Sequence, residues 1–148
     1  MDGSRVQVRR ARTGDAGAVA GLAGELAQSF PFSREKFDLA YPALVASQDA
    51  CLLVAAEDGE CLGYALGFRH LTFYANGPVG WVEEILVRPE CRGRGVGRAL
   101  MSAFERWAAE HDCTLVALAT RRAAAFYRAL GYQDSAAYLR KVLQYQAP

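Results

Sequence analysis

The chain has 148 residues, 52% of them hydrophobic and 22% charged, and its formal net charge is +1. This length and composition suit one compact domain spanning residues 1–148, large enough to bury roughly 68–70% of its unfolded surface. So small a net charge supplies no bulk field for nucleic acid, and no apolar run reaches the length of a membrane span or a secretory leader, so neither nucleic acid nor membrane is an expected partner.

Val6 to Ala11 alternates and predicts a first strand, with Thr13 or Asp15 to cap the helix after it. That helix carries a stripe of Val19, Leu22, Ala23, Leu26, Ala27 and Phe30, and Pro31 ends it. Ser33 caps a second helix with Phe37, Ala40, Tyr41, Leu44 and Val45 on one side, and Pro42 predicts a kink or an early stop. Cys51 to Ala56 reads as a buried strand, Asp58-Gly59 as a hairpin turn, and Cys61 to Phe68 as the return. The turn sets Ala56 opposite Cys61 and Cys51 opposite Leu66, which keeps the two thiols apart. None of Cys51, Cys61, Cys91 and Cys113 stands in a C-x-x-C pair. That argues against a metal site and for free thiols in a reducing, cytoplasmic setting. His70 to Gly80, with its aromatics and turn formers, reads as a loop.

The most informative stretch is Trp81 to Leu100, which reads as strand, glycine turn and helix. Val82, Ile85, Leu86 and Val87 are strand formers, and Pro89 cannot continue a ladder. Gly93, Gly95 and Gly97 follow, alternating with Arg94 and Val96. A helical stripe then runs through Val96, Ala99, Leu100, Ala103, Phe104, Trp107 and Ala108. A glycine turn opening a helix presents free amides at the positive end of its dipole, here with Arg92, Arg94 and Arg98 alongside, a combination suited to phosphate oxygens. The spacing is not a Rossmann fingerprint, because Arg98 stands where the third glycine belongs. Nor is it a P-loop, because no Lys is present.

Thr114 to Ala119 is a further short strand, and Arg121 to Leu130 a helix closed by Gly131. Tyr132 and Ala137 to Leu143 read as the last strands, possible partners in a hairpin through Asp134-Ser135. The order β-α-α-β-β-β-α-β-α-β defines a mixed α/β fold, a mostly antiparallel sheet with one central βαβ unit and flanking helices.

Two motifs carry a family resemblance. Arg92-x-x-Gly95-x-Gly97, preceded by Val87-x-Pro89, resembles the acyl-CoA loop of the GNAT superfamily of N-acyltransferases. Ala123-Ala124-Ala125-Phe126-Tyr127-Arg128-Ala129-Leu130-Gly131-Tyr132 resembles that family's late A-x-x-F-Y-x-x-x-G-F/Y segment. The resemblance implies the GNAT fold and acetyl-CoA as cosubstrate, with no metal and no covalent enzyme intermediate. A homodimer is common in that family.

Acylating an amine requires removing its proton, stabilising a tetrahedral oxyanion and protonating the departing thiolate. Glu83 and Glu84 are adjacent carboxylates inside an apolar strand, and strict alternation sends them to opposite faces, so at most one should face a given cleft. The resemblance makes Glu83 the base, with Glu84 as its alternative, and Tyr127 the acid toward the thiolate. It also implies that Leu86 and Val87 offer main-chain groups to the pantetheine arm. Arg92, Gly93, Arg94, Gly95, Val96, Gly97 and Arg98 would take the pyrophosphate, and Thr120 occupies the place of a pantetheine-contacting Asn. Phe32, Tyr64, Phe68, His70, Phe73, Tyr74 and Trp81 are candidates for an aromatic wall around a small-molecule amine. A protein or peptide N-acetyltransferase and a non-catalytic acyl-CoA sensor are the competing readings.

Overall fold

A computed structural model describes residues 5–26 and 29–146. One sheet carries five strands in the order of the chain: β1 (Gln7–Arg10), β2 (Ala50–Glu57), β3 (Glu60–Thr72), β4 (Gly77–Val87) and β5 (Val116–Leu118). Every neighbouring pair is antiparallel except β4 and β5. Those two run parallel because a helix, α3 (Val96–Glu110), crosses between them. Helices α1 (Ala16–Leu26) and α2 (Arg34–Ala46) precede β2, and α4 (Ala124–Ala129) follows β5.

The sheet is covered on both faces. On one, Leu53, Ala65 and Val82 pack beneath Leu100, Phe104 and Trp107 of α3, and Tyr127 of α4 joins them. On the other, Val54, Tyr64 and Leu66 pack beneath Val19 and Leu22 of α1 and Tyr41 of α2. The Phe104 ring lies directly over Gly67, where a Cβ would collide with it and would also stand 2.8 Å from the Trp81 carbonyl. Gly67 is thus the gap in β3 into which α3 presses its largest fully buried side chain.

Several expectations change in three dimensions. Helix α2 continues through Pro42 to Ala46. Proline removes only the bond to the Asp38 carbonyl, and Asp38 and Pro42 are both exposed, so water replaces it. Ala56 does oppose Cys61, but a bulge at Ala55/Ala56 moves the register by one, and Cys51 faces Gly67 instead of Leu66. The thiols still lie apart, in the cores on opposite faces of the sheet. The stretch expected to be a loop from His70 to Gly80 is mostly ladder, since β3 and β4 pair out to Thr72 and Gly77. Each arm has the other as its partner there, and pairing outweighs the turn-rich composition. Ala27 lies outside the described residues.

The last strands do not form. Residues 132–143 enter no ladder; Tyr132, Asp134, Tyr138 and Arg140 instead tie the segment to Glu105, Arg128, Trp81 and Ser29 through their side chains. The open sheet edge on this side is β5, only 3 residues long and too short a template for a further strand. The helix expected over Arg121 to Leu130 is likewise shorter, beginning at Ala124. The Thr120 hydroxyl accepts the Ala123 N–H at 3.0 Å just before it.

Candidate active site

Two features of β4 create the site. Strand β5 pairs with it only at Gly80, Trp81 and Val82. From Glu83 to Val87, β4 has β3 on one side and no strand on the other, so the sheet splits open. The second feature is a bulge. Leu66 faces Glu84 and Gly67 faces Val82, which leaves Glu83 as the extra residue. The bulge shifts side-chain alternation, so Val82, Ile85 and Val87 share the α3 face while Leu86 lies on the other.

With the bulge at Glu83, both Glu83 and Glu84 line one cleft running through the split. Glu83 is exposed at its border. Glu84 is half-buried and accepts a hydrogen bond of 2.7 Å from the Tyr64 hydroxyl. Burial first, and the Glu84 carboxylate second, push the Tyr64 phenol far above its ordinary range, so it stays a neutral donor. Sequence reasoning named Tyr64 only as a wall residue. The signal for the pair is that Tyr64 opposes Leu86, which makes Glu84 its diagonal neighbour on the same face.

Tyr127 reaches the same cleft from the α3 side. It is 7% exposed, its ring set edge-on to Phe126 and to Tyr132, and burial raises its phenol above the ordinary range. Its hydroxyl carries its proton and, among the described residues, has no hydrogen-bond partner. Since no buried side-chain oxygen there is left unpaired, that hydroxyl opens to the cleft. Thr120 also lines the cleft.

Along β4 the cleft lining reaches Ile85; Leu86, Val87 and the loop from Arg92 to Arg98 stand outside it. The loop is at the surface, with Arg92, Gly93, Arg94 and Gly95 exposed and Val96 buried beneath them. Gly93 and Gly95 take φ of 80° and 83°, the left-handed region that makes glycine the fitting residue. The first helical bond runs from Ala99 N–H to the Gly95 carbonyl. Among the described residues, the N–H groups of residues 93–98 have no acceptor. Gly97 admits the edge of the Phe126 ring, which stands 3.2 Å from where a Cβ would be.

The arginines divide. Arg92 donates to the Val87 carbonyl at 3.3 Å. Arg94 forms a two-pronged pair with Glu57, both bonds 2.8 Å, and Arg94 holds the Glu57 carboxyl below its usual range. That pair ties the loop to the end of β2 and was not anticipated from sequence.

The aromatic wall also divides. Phe32, Tyr64, Tyr74 and Trp81 line the cleft. Phe68 packs in the core, His70 is exposed on β3, and Phe73 is fully exposed at the hairpin tip. The C-terminal segment supplies wall residues that the sequence assigned to a strand: Tyr138 stacks on Trp81 with centroids 6.4 Å apart, and Arg140 donates to the Ser29 hydroxyl at 3.1 Å. Among the described residues no cluster of His, Cys, Asp and Glu suits a metal ion, and no helix is long and apolar enough to cross a membrane.

A sheet split beside a glycine turn with free amides, with carboxylates and a buried phenol on one cleft, defines an acyltransferase enzyme. Residues 21–132 match the acetyltransferase (GNAT) family, and the chain belongs to it. It is similar to an aminoglycoside N(6')-acetyltransferase type 1 of Stenotrophomonas maltophilia, with 33% identity over 91% of each chain. It is also similar to a thialysine N-epsilon-acetyltransferase of Bos taurus, 29% identical over 87% of this chain and 85% of that one. Its fold is that of an aminoglycoside N-acetyltransferase solved in complex with CoA, at a TM-score of 0.80 and 24% identity, covering 98% of this chain and 96% of the other.

Proposed function

We propose that this enzyme moves the acetyl group of acetyl-CoA directly to a primary amine of a small molecule. The observation that carries the reading is the row of unpaired amides at residues 93–98 beside the split between β4 and β5. Those amides, with Arg98, bind a pyrophosphate. The free edge of β4 at Leu86 and Val87 offers strand-like hydrogen bonds to a pantetheine arm, with Thr120 across the split. Arg94 acts chiefly through its backbone, since Glu57 holds its side chain. The thioester supplies the electrophilic carbonyl and the thiolate leaving group.

Glu83 takes the proton of the incoming amine, directly or through water, because its carboxylate is free at the bulge. Glu84, fixed by Tyr64, places a second negative group where the ammonium arrives before losing its proton. Tyr127 holds a proton at its hydroxyl for the departing sulfur. The small-molecule class is supported by the relatives' printed activities and by the contact of Arg140 with Ser29, which ties the C-terminal segment to the connection between α1 and α2 at the border of the cleft. A peptide acceptor would need that side open.

The test is a CoA titration followed by release of free thiol from acetyl-CoA in the presence of an amine panel. Failure to retain CoA at millimolar concentration ends the proposal. Retention without turnover of any amine would favour a sensor.

A further inference from the structure

The Tyr127 hydroxyl, which opens to the cleft, has no hydrogen-bond partner among the described residues, so nothing polar fixes where it points. Its aim depends on the walls beside its ring. Two rings stand edge-on to it, Phe126 at 5.0 Å and 77°, and Tyr132 at 5.9 Å and 75°. Phe126 is exposed, and the edge of its ring rests on Gly97 at the opening of α3. Tyr132 is the anchored wall. Its N–H donates to the Tyr127 carbonyl at 3.0 Å, and its hydroxyl donates to Glu105 Oε2 at 2.6 Å. Backbone and side chain of Tyr132 are thus both held, the one by Tyr127 itself and the other by α3.

Glu105 and Tyr132 are both half-buried. Burial first, and the bond to Glu105 second, push the Tyr132 phenol far above its ordinary range, so it stays a donor. The turn that brings Tyr132 back to Tyr127 passes through Gly131, whose φ of 99° is left-handed. The adjacent Arg128–Asp134 pair is exposed on both sides and adds little to this anchorage. Helix α4 therefore meets α3 at two places, Phe126 against Gly97 and Tyr132 against Glu105. At the rise of an α-helix those two positions on α3 lie about 12 Å apart. Tyr127 stands between Phe126 and Tyr132, so the helix that follows the free amides also holds both walls of the phenol.

We propose that Tyr132, tethered by Glu105, is a positioning residue that keeps the Tyr127 hydroxyl on the sulfur of CoA. This rests on the reading of Tyr127 as proton donor and adds the device that aims it. In the transfer step the amine nitrogen bonds to the acyl carbon and gives its proton to Glu83. The C–S bond breaks with its electron pair going to sulfur, the Tyr127 proton follows to sulfur, and the phenolate takes a proton back from solvent. A hydroxyl aimed at the sulfur stabilises the thiolate through a charge-assisted hydrogen bond, and one that swings away does not. Glu105 and Tyr132 act only through Tyr127.

The thiol of bound CoA reports that aim without any acceptor amine. Its titration is followed in the full chain by the ultraviolet absorbance of the thiolate, with the desulfo-CoA complex subtracting the protein's own tyrosines. Tyr127→Phe should raise the midpoint of the thiol by about one pH unit, the scale of one hydrogen bond to a charged group. Tyr132→Phe keeps the ring and cuts the tether, so it should raise the midpoint by about half as much, and should add nothing in the Tyr127→Phe background. Glu105→Ala should match it, and carries the comparison if Tyr132→Phe does not fold. Glu105→Gln, whose amide oxygen still accepts from the Tyr132 hydroxyl, should leave the midpoint near that of the unaltered chain. A thiol that Tyr132→Phe and Glu105→Ala leave unmoved, or move equally in both backgrounds, overturns the proposal while Tyr127 keeps its role. A thiol unmoved by Tyr127→Phe, or no CoA retained by the unaltered chain, removes the reading beneath it and this inference with it.

Discussion

The chemistry proposed for this site depends on two side chains whose surroundings differ sharply. Glu83 is exposed and, among the described residues, has no hydrogen-bond or ion-pair partner, whereas Tyr127 is buried and holds its proton beyond the ordinary tyrosine range. Replacing Glu83 with Gln keeps the shape and removes the base. We expect kcat to fall by about 10²–10⁴-fold, the usual share of general acid–base catalysis, with CoA affinity unchanged by calorimetric titration. An equal loss of CoA binding would place Glu83 in the cofactor site instead. Tyr64 poses a different question. Tyr64→Phe removes the 2.7 Å bond to Glu84 and leaves the ring packed. It should cost about 1–2 kcal/mol in a urea melt and raise KM for the amine more than it lowers kcat. A KM unmoved by Tyr64→Phe would make the pair purely structural.

Among the elements, β4 and α3 depend on each other. The bulge turns Glu83 and Glu84 into the cleft, and it sits beside Gly67, the gap that receives Phe104. Ala at position 67 would force its Cβ into that ring and toward the Trp81 carbonyl, so the ladder at the bulge must shift. Overpacking of this kind costs about 1–3 kcal/mol. We predict that Gly67→Ala lowers the urea midpoint and depresses turnover beyond what the lost stability explains, because the carboxylates move with the strand. A variant that melts early but turns over normally when folded would uncouple bulge from catalysis. The loop before α3 is anchored separately, through Arg94 and Glu57. Glu57→Gln should weaken CoA binding several-fold by loosening the amides, without altering amine KM. Tighter CoA binding would mean that Glu57 instead competes with phosphate for Arg94.

The whole molecule should be destabilised by alkali through groups buried in both cores. Burial pushes the Cys51 thiol up to about 11 and raises the phenols of Tyr64, Tyr127 and Tyr132. A group with a raised folded-state pKa binds its proton more tightly folded than unfolded. Its contribution is full below the ordinary pKa and is lost as pH rises through the folded value. For Cys51 that window runs from about 8.5 to the folded value. Urea midpoints should therefore decline across it, and Cys51→Ala should flatten the decline. At the acid end the sign reverses. Arg9 bonds the Asp15 carboxylate at 2.7 Å and holds it low, so that contribution is present above the ordinary aspartate pKa and disappears as pH falls below it.

Much of this protein was legible in its residues. The βαβ unit, the glycine loop, the cap at Ser33 and the α3 stripe all follow from short-range rules of period, turn and cap. Glycines at 93 and 95 need no partner elsewhere to take a left-handed turn, so the sequence alone determines a loop with free amides. Other features depend on what the chain meets at a distance. The bulge at Glu83 arises in the pairing of β3 with β4, and both carboxylates line the cleft that passes through the split. The C-terminal segment alternates like a strand, yet the sheet has only three residues of β5 to offer it, so it borders the cleft instead, with Tyr138 stacked on Trp81 and Arg140 bonded to Ser29. Period and composition are properties of a segment, whereas register and closure are properties of its partners, and only the tertiary structure supplies those.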